Sequence, residues 1–114
     1  MKRGVLELPD GRSLPLDDKG YLLDWRAWTP AAAEAMAAAD GVVLEDDHRA
    51  VLRIFREYYG QYEIEPPMRA LVRLARERLG AEKGGSRYLY RLFPDGPGTQ
   101  ACRYAGLPRP LSCV

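Results

Sequence analysis

The sequence predicts a mainly helical α+β domain: a small N-terminal β-hairpin, four or more helices and a flexible C-terminal arm. Three observations predict it. Residues 4–23, GVLELPDGRSLPLDDKGYLL, alternate weakly between apolar and polar and carry two turn signals, Pro-Asp-Gly and Asp-Lys-Gly. Several later segments repeat apolar residues at helical spacing between proline starts and glycine stops. The last eight residues, LPRPLSCV, have neither pattern. At 114 residues, with 46% apolar and 29% charged side chains, the chain fits a single domain with an ordinary core. The expected division is a folded body over 1–106 and an arm over 107–114.

Pro9 and Pro15 lack an amide hydrogen, so both suit edge positions of the hairpin. A hairpin this small needs helices to pack on. Thr29-Pro30 opens a helix with a capping hydroxyl followed by proline at the first turn. The run AAAEAMAAAD propagates it and Gly41 ends it. Glu45, Asp46 and Asp47 place negative charge at the start of the next helix, where the helix dipole favours it. Val51, Leu52, Phe55, Tyr58 and Tyr59 then share one helical face, and Gly60 is the expected stop.

The link QYEIE leads to Pro66-Pro67 and a helix over 67–79, closed by Gly80. Its apolar stripe is Met68, Leu71, Val72, Ala75 and Leu79, with Arg69, Arg73 and Arg76 mostly opposite. Ser86 is the expected cap of a short helix that Pro94 terminates. Pro97 and Gly106 frame a last helix of about two turns, with Cys102 inside it.

Net charge is +1, but residues 1–65 carry −5 and residues 66–114 carry +6. Such asymmetry fits either a ligand for the basic half or mutual attraction of the halves. No apolar run reaches the ~18–20 residues that span a bilayer, and Pro9, Asp10 and Gly11 interrupt any leader-like stretch. The expected location is the cytoplasm, without membrane insertion.

Among chemistries, a metal site has little support: Cys102, Cys113 and His48 lack the spacing of zinc ligands. There is no Gly-x-Ser-x-Gly elbow and no phosphate-binding glycine loop. Helices 47–59 and 67–79 fit a helix-turn-helix with arginines on the second helix, so nucleic acid is a candidate partner. That reading leaves the cysteines unexplained.

Both cysteines lie in the last thirteen residues, and Cys113 is penultimate. Structural cysteines are normally buried, whereas chain ends fray. An accessible thiol on an arm, with a second thiol at its base, suits delivery of a group and its release by internal exchange. Arg103 and Arg109 stand near both, where positive charge favours a thiolate or docks the arm.

GYLLDWRAWTP, REYYGQYEIEPPMR and SRYLYRLFPDGPGTQACRYAGLPRPLSCV together resemble the DsrC/TusE family of sulfur-relay proteins, over nearly the whole chain. The resemblance implies an orthogonal helical bundle with a helix-turn-helix-like core. It implies a sulfur carrier, without a separate cofactor, rather than a self-contained enzyme. Cys113 would bear sulfur as a persulfide. Cys102 matches the second cysteine of DsrC-type members, which TusE proteins of transfer RNA thiolation typically lack. For DsrC-type members it implies dissimilatory sulfite reductase, or a reverse-acting homologue, as the partner that receives the arm. A trisulfide between the two cysteines would then be reduced by a membrane-bound electron-transfer complex. In the oxidative direction a sulfurtransferase complex would supply the sulfur. One departure from the family pattern is Leu111-Ser112, where Thr-Gly commonly precedes the terminal Cys-Val.

Overall fold

In the computed structural model, which describes residues 4–110, the hairpin is formed by β1 (Val5–Glu7) and β2 (Ser13–Pro15), antiparallel, with Leu6 opposite Leu14. Leu6 and Leu14 point to the buried side while their strand neighbours face outward, the two-residue period of a half-buried ribbon. A single bridge, Leu16 to Leu22, extends the ribbon across the second turn. Asp17 organises that turn: its Oδ1 accepts from the backbone N–H of Lys19 (2.8 Å) and of Tyr21 (2.9 Å).

A 3₁₀ turn over Trp25–Ala27, capped by Asp24, leads into the helices. These are α1 (Pro30–Ala39), α2 (Asp46–Tyr62), α3 (Met68–Leu79) and α4 (Ser86–Leu92). A π-helical turn, Pro97–Ala101, then runs directly into α5, Cys102–Tyr104. Thr29 caps α1 as its position before Pro30 predicts: its Oγ1 accepts from Ala32 N–H at 3.3 Å. Gly41 leaves that helix with φ +75°.

Expected boundaries move: α3 begins at Met68 rather than Pro67, α2 begins at Asp46, and two further shifts are larger in consequence. α2 does not stop at Gly60 but continues to Tyr62, and Glu63 turns the chain with φ +60°. Glycine weakens a helix interior by only about 1 kcal/mol, and ring contacts offset it here. Tyr58 and Tyr62 lie one turn apart with centroids at 4.5 Å, and Tyr59 meets Trp25 edge-on at 5.1 Å. Ser86 is not a cap but the first residue of α4, and Gly85 holds the cap position.

The core is organised around the shortest helix. α5 packs against both α1 and α2, while α2 also packs on α3 and on the π-helical turn. Ala101, Cys102, Tyr104, Ala105 and Leu107 are all fully buried there, among Phe55, Phe93, Val51 and Ala37. α2 and α3 form the expected helix-turn-helix-like pair, with Arg69, Arg73 and Arg76 exposed on α3. His48 joins α2 to α4. Its Nδ1 accepts from Glu45 N–H at 3.1 Å, so its Nε2 carries the hydrogen and donates to the Leu92 carbonyl at 3.0 Å. Among the described residues no helix is long and apolar enough to cross a membrane.

Candidate functional site

The C-terminal segment leaves the body through a helix-ending turn built on Cys102. Leu107 N–H donates to the Cys102 carbonyl at 3.2 Å, and Gly106 N–H donates to the Arg103 carbonyl at 3.0 Å. This pair of bonds is a Schellman motif, with Gly106 in the left-handed region at φ +76°. Glycine is required twice over. A Cβ at position 106 would stand 2.3 Å from Trp28 Cδ1 and 2.9 Å from Leu22 Cδ1.

Cys102 itself is 0% exposed. Its Sγ lies 3.4 Å from the Pro108 carbonyl, placed to donate to the segment that follows it. The sequence draws the arm from residue 107, but its described part, 107–110, is packed on the body. Leu107 and Pro110 are buried. Arg109 pairs with Asp17 at 3.4 Å and also with Asp18, across from the second turn of the ribbon. Burial works against the Asp17 charge, but the N–H groups of Tyr21 and Lys19 and the Arg109 guanidinium outweigh it. Asp17 is held below the usual carboxylate range.

The connection between α2 and α3 lines the other side of this segment. Tyr59, Glu63 and Ile64 form a cavity of about 100 Å³ with Leu107, Pro108 and Arg109. Pro66, Pro67, Met68 and Leu71 form another of about 160 Å³ with Pro110. Met68, expected in the apolar stripe of α3, is 37% exposed and lines this second cavity. Cys113, with Leu111 and Ser112, lies outside the described residues.

Arg103 and Arg109 therefore have different positions. Arg109 sits on the arm and ties it to the body. Arg103 turns to the end of α1, where it pairs with Asp40 and stacks on Tyr104, its guanidinium carbon 5.0 Å from the ring centroid. Tyr104 OH donates to the same Asp40 at 2.7 Å and accepts from Gln100 Nε2 at 3.0 Å. Burial and the Asp40 carboxylate raise the Tyr104 pKa, against the pull of Gln100.

Sequence reasoning missed the residues that fix the root of the arm. Trp28 Nε1 donates to the Tyr104 carbonyl at 2.7 Å. Arg56 donates to the Ala105 carbonyl at 2.8 Å and to the Trp25 carbonyl at 3.1 Å. Its guanidinium lies 5.2 Å from the Trp25 ring centroid and 4.3 Å from that of Trp28. Desolvation lowers the Arg56 pKa. The only trace in the sequence is a pair of tryptophans, Trp25 and Trp28, flanking Arg26 and Ala27; nothing there links them to Arg56 or to residues 104 and 105.

Comparison with known proteins agrees with this architecture. The family model for DsrC like protein matches residues 9–114. Sulfurtransferase TusE of Pectobacterium atrosepticum is 43% identical over 105 residues, 92% of this chain and 96% of that protein. Sulfurtransferase TusE of Salmonella typhimurium is 44% identical over the same shares. The solution structure of Allochromatium vinosum DsrC is similar with a TM-score of 0.85 and 44% identity, covering 96% of this chain and 97% of that one. The crystal structure of the oxidized gamma-subunit of the dissimilatory sulfite reductase (DsrC) from Archaeoglobus fulgidus gives 0.83 and 36%, covering 96% and 99%. With a family model spanning the second strand of its ribbon, its helices and its C-terminal segment, this chain belongs to the DsrC-like family.

Proposed function

We propose that the chain is a sulfur carrier of the DsrC type, with Cys113 as the sulfur-bearing thiol and Cys102 as the resolving thiol. The observation that carries this reading is the root of the arm. A glycine turn that tolerates no side chain starts the arm four residues after Cys102, and the Cys102 thiol meets the arm's own backbone. The relatives named sulfurtransferase TusE and DsrC support sulfur relay as the chemistry. Cys102 favours the DsrC type over a role in transfer RNA thiolation.

The chemistry balances without a cofactor. A persulfide donor transfers its outer sulfur to the Cys113 thiolate, and the donor thiolate leaves. Cys102, once deprotonated, attacks the Cys113 sulfur atom. A Cys102–Cys113 disulfide forms and hydrosulfide departs. Only three Cα steps separate Pro110 from Cys113, a span of at most about 11 Å. Lifting residues 107–110 off the body therefore sets both the exposure of Cys102 and the reach of Cys113. Partners that fit are a sulfite reductase whose site receives the arm, a sulfurtransferase complex as donor and a membrane-bound electron-transfer complex as reductant, met in the cytoplasm.

The test is intact mass after incubation with a persulfide donor. Cys102→Ser gains and keeps one sulfur, the wild-type chain takes up the same sulfur and ends two hydrogens lighter as the disulfide, and Cys113→Ser gains none. An equal sulfur load on Cys113→Ser would overturn the assignment.

A further inference from the structure

Between α1 and α2 lies a cavity of about 260 Å³ that the sulfur chemistry does not use. Its apolar lining includes Trp28, Ala33, Leu44 and Leu52, and Arg53 and Arg56 line it as well. We propose that it is a docking site for a partner protein, and that it takes one large apolar side chain flanked by carboxylates.

Charge gives the acidic part. Five charged residues line the cavity: Arg49, Arg53, Arg56, Glu34 and Glu57. Glu34 is already engaged by Arg49 at 3.0 Å, and Glu57 by Arg78. Arg49 is further held by Asp46 at 3.1 Å. Arg53 and Arg56 make no ion pair among the described residues. Arg56 is partly buried between two tryptophan rings, so its charge has lost water and gained no carboxylate. An incoming carboxylate supplies what that cation lacks.

Size and composition give the rest. Pockets for small molecules usually hold about 300–1,000 Å³. This one is smaller and suits a single side chain on a larger partner. Tryptophan and arginine are the residues that most often dominate protein–protein binding energy. Nucleic acid fits poorly, since the wall is apolar and the chain's exposed row of arginines lies elsewhere, on α3. The chain's own arm is also a poor occupant. Its last described residue, Pro110, lines a different cavity, and residues 111–114 include no Asp or Glu.

The position gives the site a purpose. Trp28 and Arg56, which line the cavity, are the side chains that donate to the carbonyls of Tyr104 and Ala105. A partner seated there touches the residues that hold the root of the arm. Docking on the body and presentation of the arm are thus adjacent, and the site stands independently of either thiol.

The experiment titrates the full-length chain with a fluorescein-labelled peptide, Asp-Asp-Leu-Phe-Asp-Asp, followed by anisotropy and by the indole N–H resonance of Trp28. The expected result is saturable binding that shifts the Trp28 resonance and weakens about ten-fold when Arg53→Glu reverses an exposed rim charge. The peptide with asparagine in place of aspartate weakens similarly. Absence of saturation, unchanged affinity in Arg53→Glu, or shifts confined to α3 would overturn the proposal. Displacement by the tetrapeptide Leu-Ser-Cys-Val would give the cavity to the chain's own tail and overturn it as well.

Discussion

Cys102 shows how much a residue's identity leaves open. Its place near a helix end was legible from Pro97 and Gly106, but its burial beneath residues 107 and 108 was not. The segment over that thiol is tied to the body by Arg109 and Asp17, which are 92 positions apart in the chain and share no local pattern. Asp17→Asn tests the latch, because asparagine keeps an acceptor for Lys19 and Tyr21 while removing the charge that faces Arg109. The pair is partly exposed, so the expected loss is about 0.5–1 kcal/mol. In a Cys113→Ser background, alkylation of Cys102 should then quicken by up to about five-fold. Asp17 has a lowered pKa in the folded chain, so its contribution is present above the ordinary aspartate value near ~3.9. It is lost as pH falls through the lowered value. The stability gap between wild type and Asp17→Asn should be constant near neutrality and close in acid. A gap that stays open in acid would show that the charge is not what holds the arm.

At the scale of elements, local chemistry was readable where it acts locally. Thr29-Pro30 and Gly41 bound α1, and the turn glycines of the ribbon have the positive φ that their positions predict. Reading failed where distant rings decide. α2 runs through Gly60 because Tyr59 meets Trp25 and Tyr58 meets Tyr62 along it. The 3₁₀ turn at Trp25–Ala27 and the π-helical turn at Pro97–Ala101 follow from packing that no periodicity records. The Schellman turn joins both kinds. Its glycine was legible as a helix end, while the tryptophan that forbids a side chain there was not. Gly106→Ala should destabilise the chain by about 2 kcal/mol or more in chemical denaturation, through the strained φ and the clash with Trp28. Gly41→Ala supplies the comparison. It shares a positive φ but has open space around it, so its loss should be smaller. Equal losses would remove the clash with Trp28 from the account.

For the whole molecule, the uneven charge of the sequence is partly answered within the fold. Arg78, Lys83, Arg103 and Arg109 of the basic half pair with Glu57, Asp47, Asp40, and Asp17 with Asp18 of the acidic half. These pairs leave Arg69, Arg73, Arg76, Arg87 and Arg91 without an ion pair among the described residues, so part of the basic excess remains on the surface. α1, α2, the π-helical turn and the start of the arm all pack on the short helix that carries Cys102. That packing fixes the thiol proposed to resolve the sulfur carried on Cys113. The most direct test is release of hydrosulfide from chains loaded with one sulfur on Cys113. Wild type should release one hydrosulfide per loaded chain and end with a Cys102–Cys113 disulfide, while Cys102→Ser keeps its sulfur. Release at the same rate from both would contradict Cys102 as the resolving thiol.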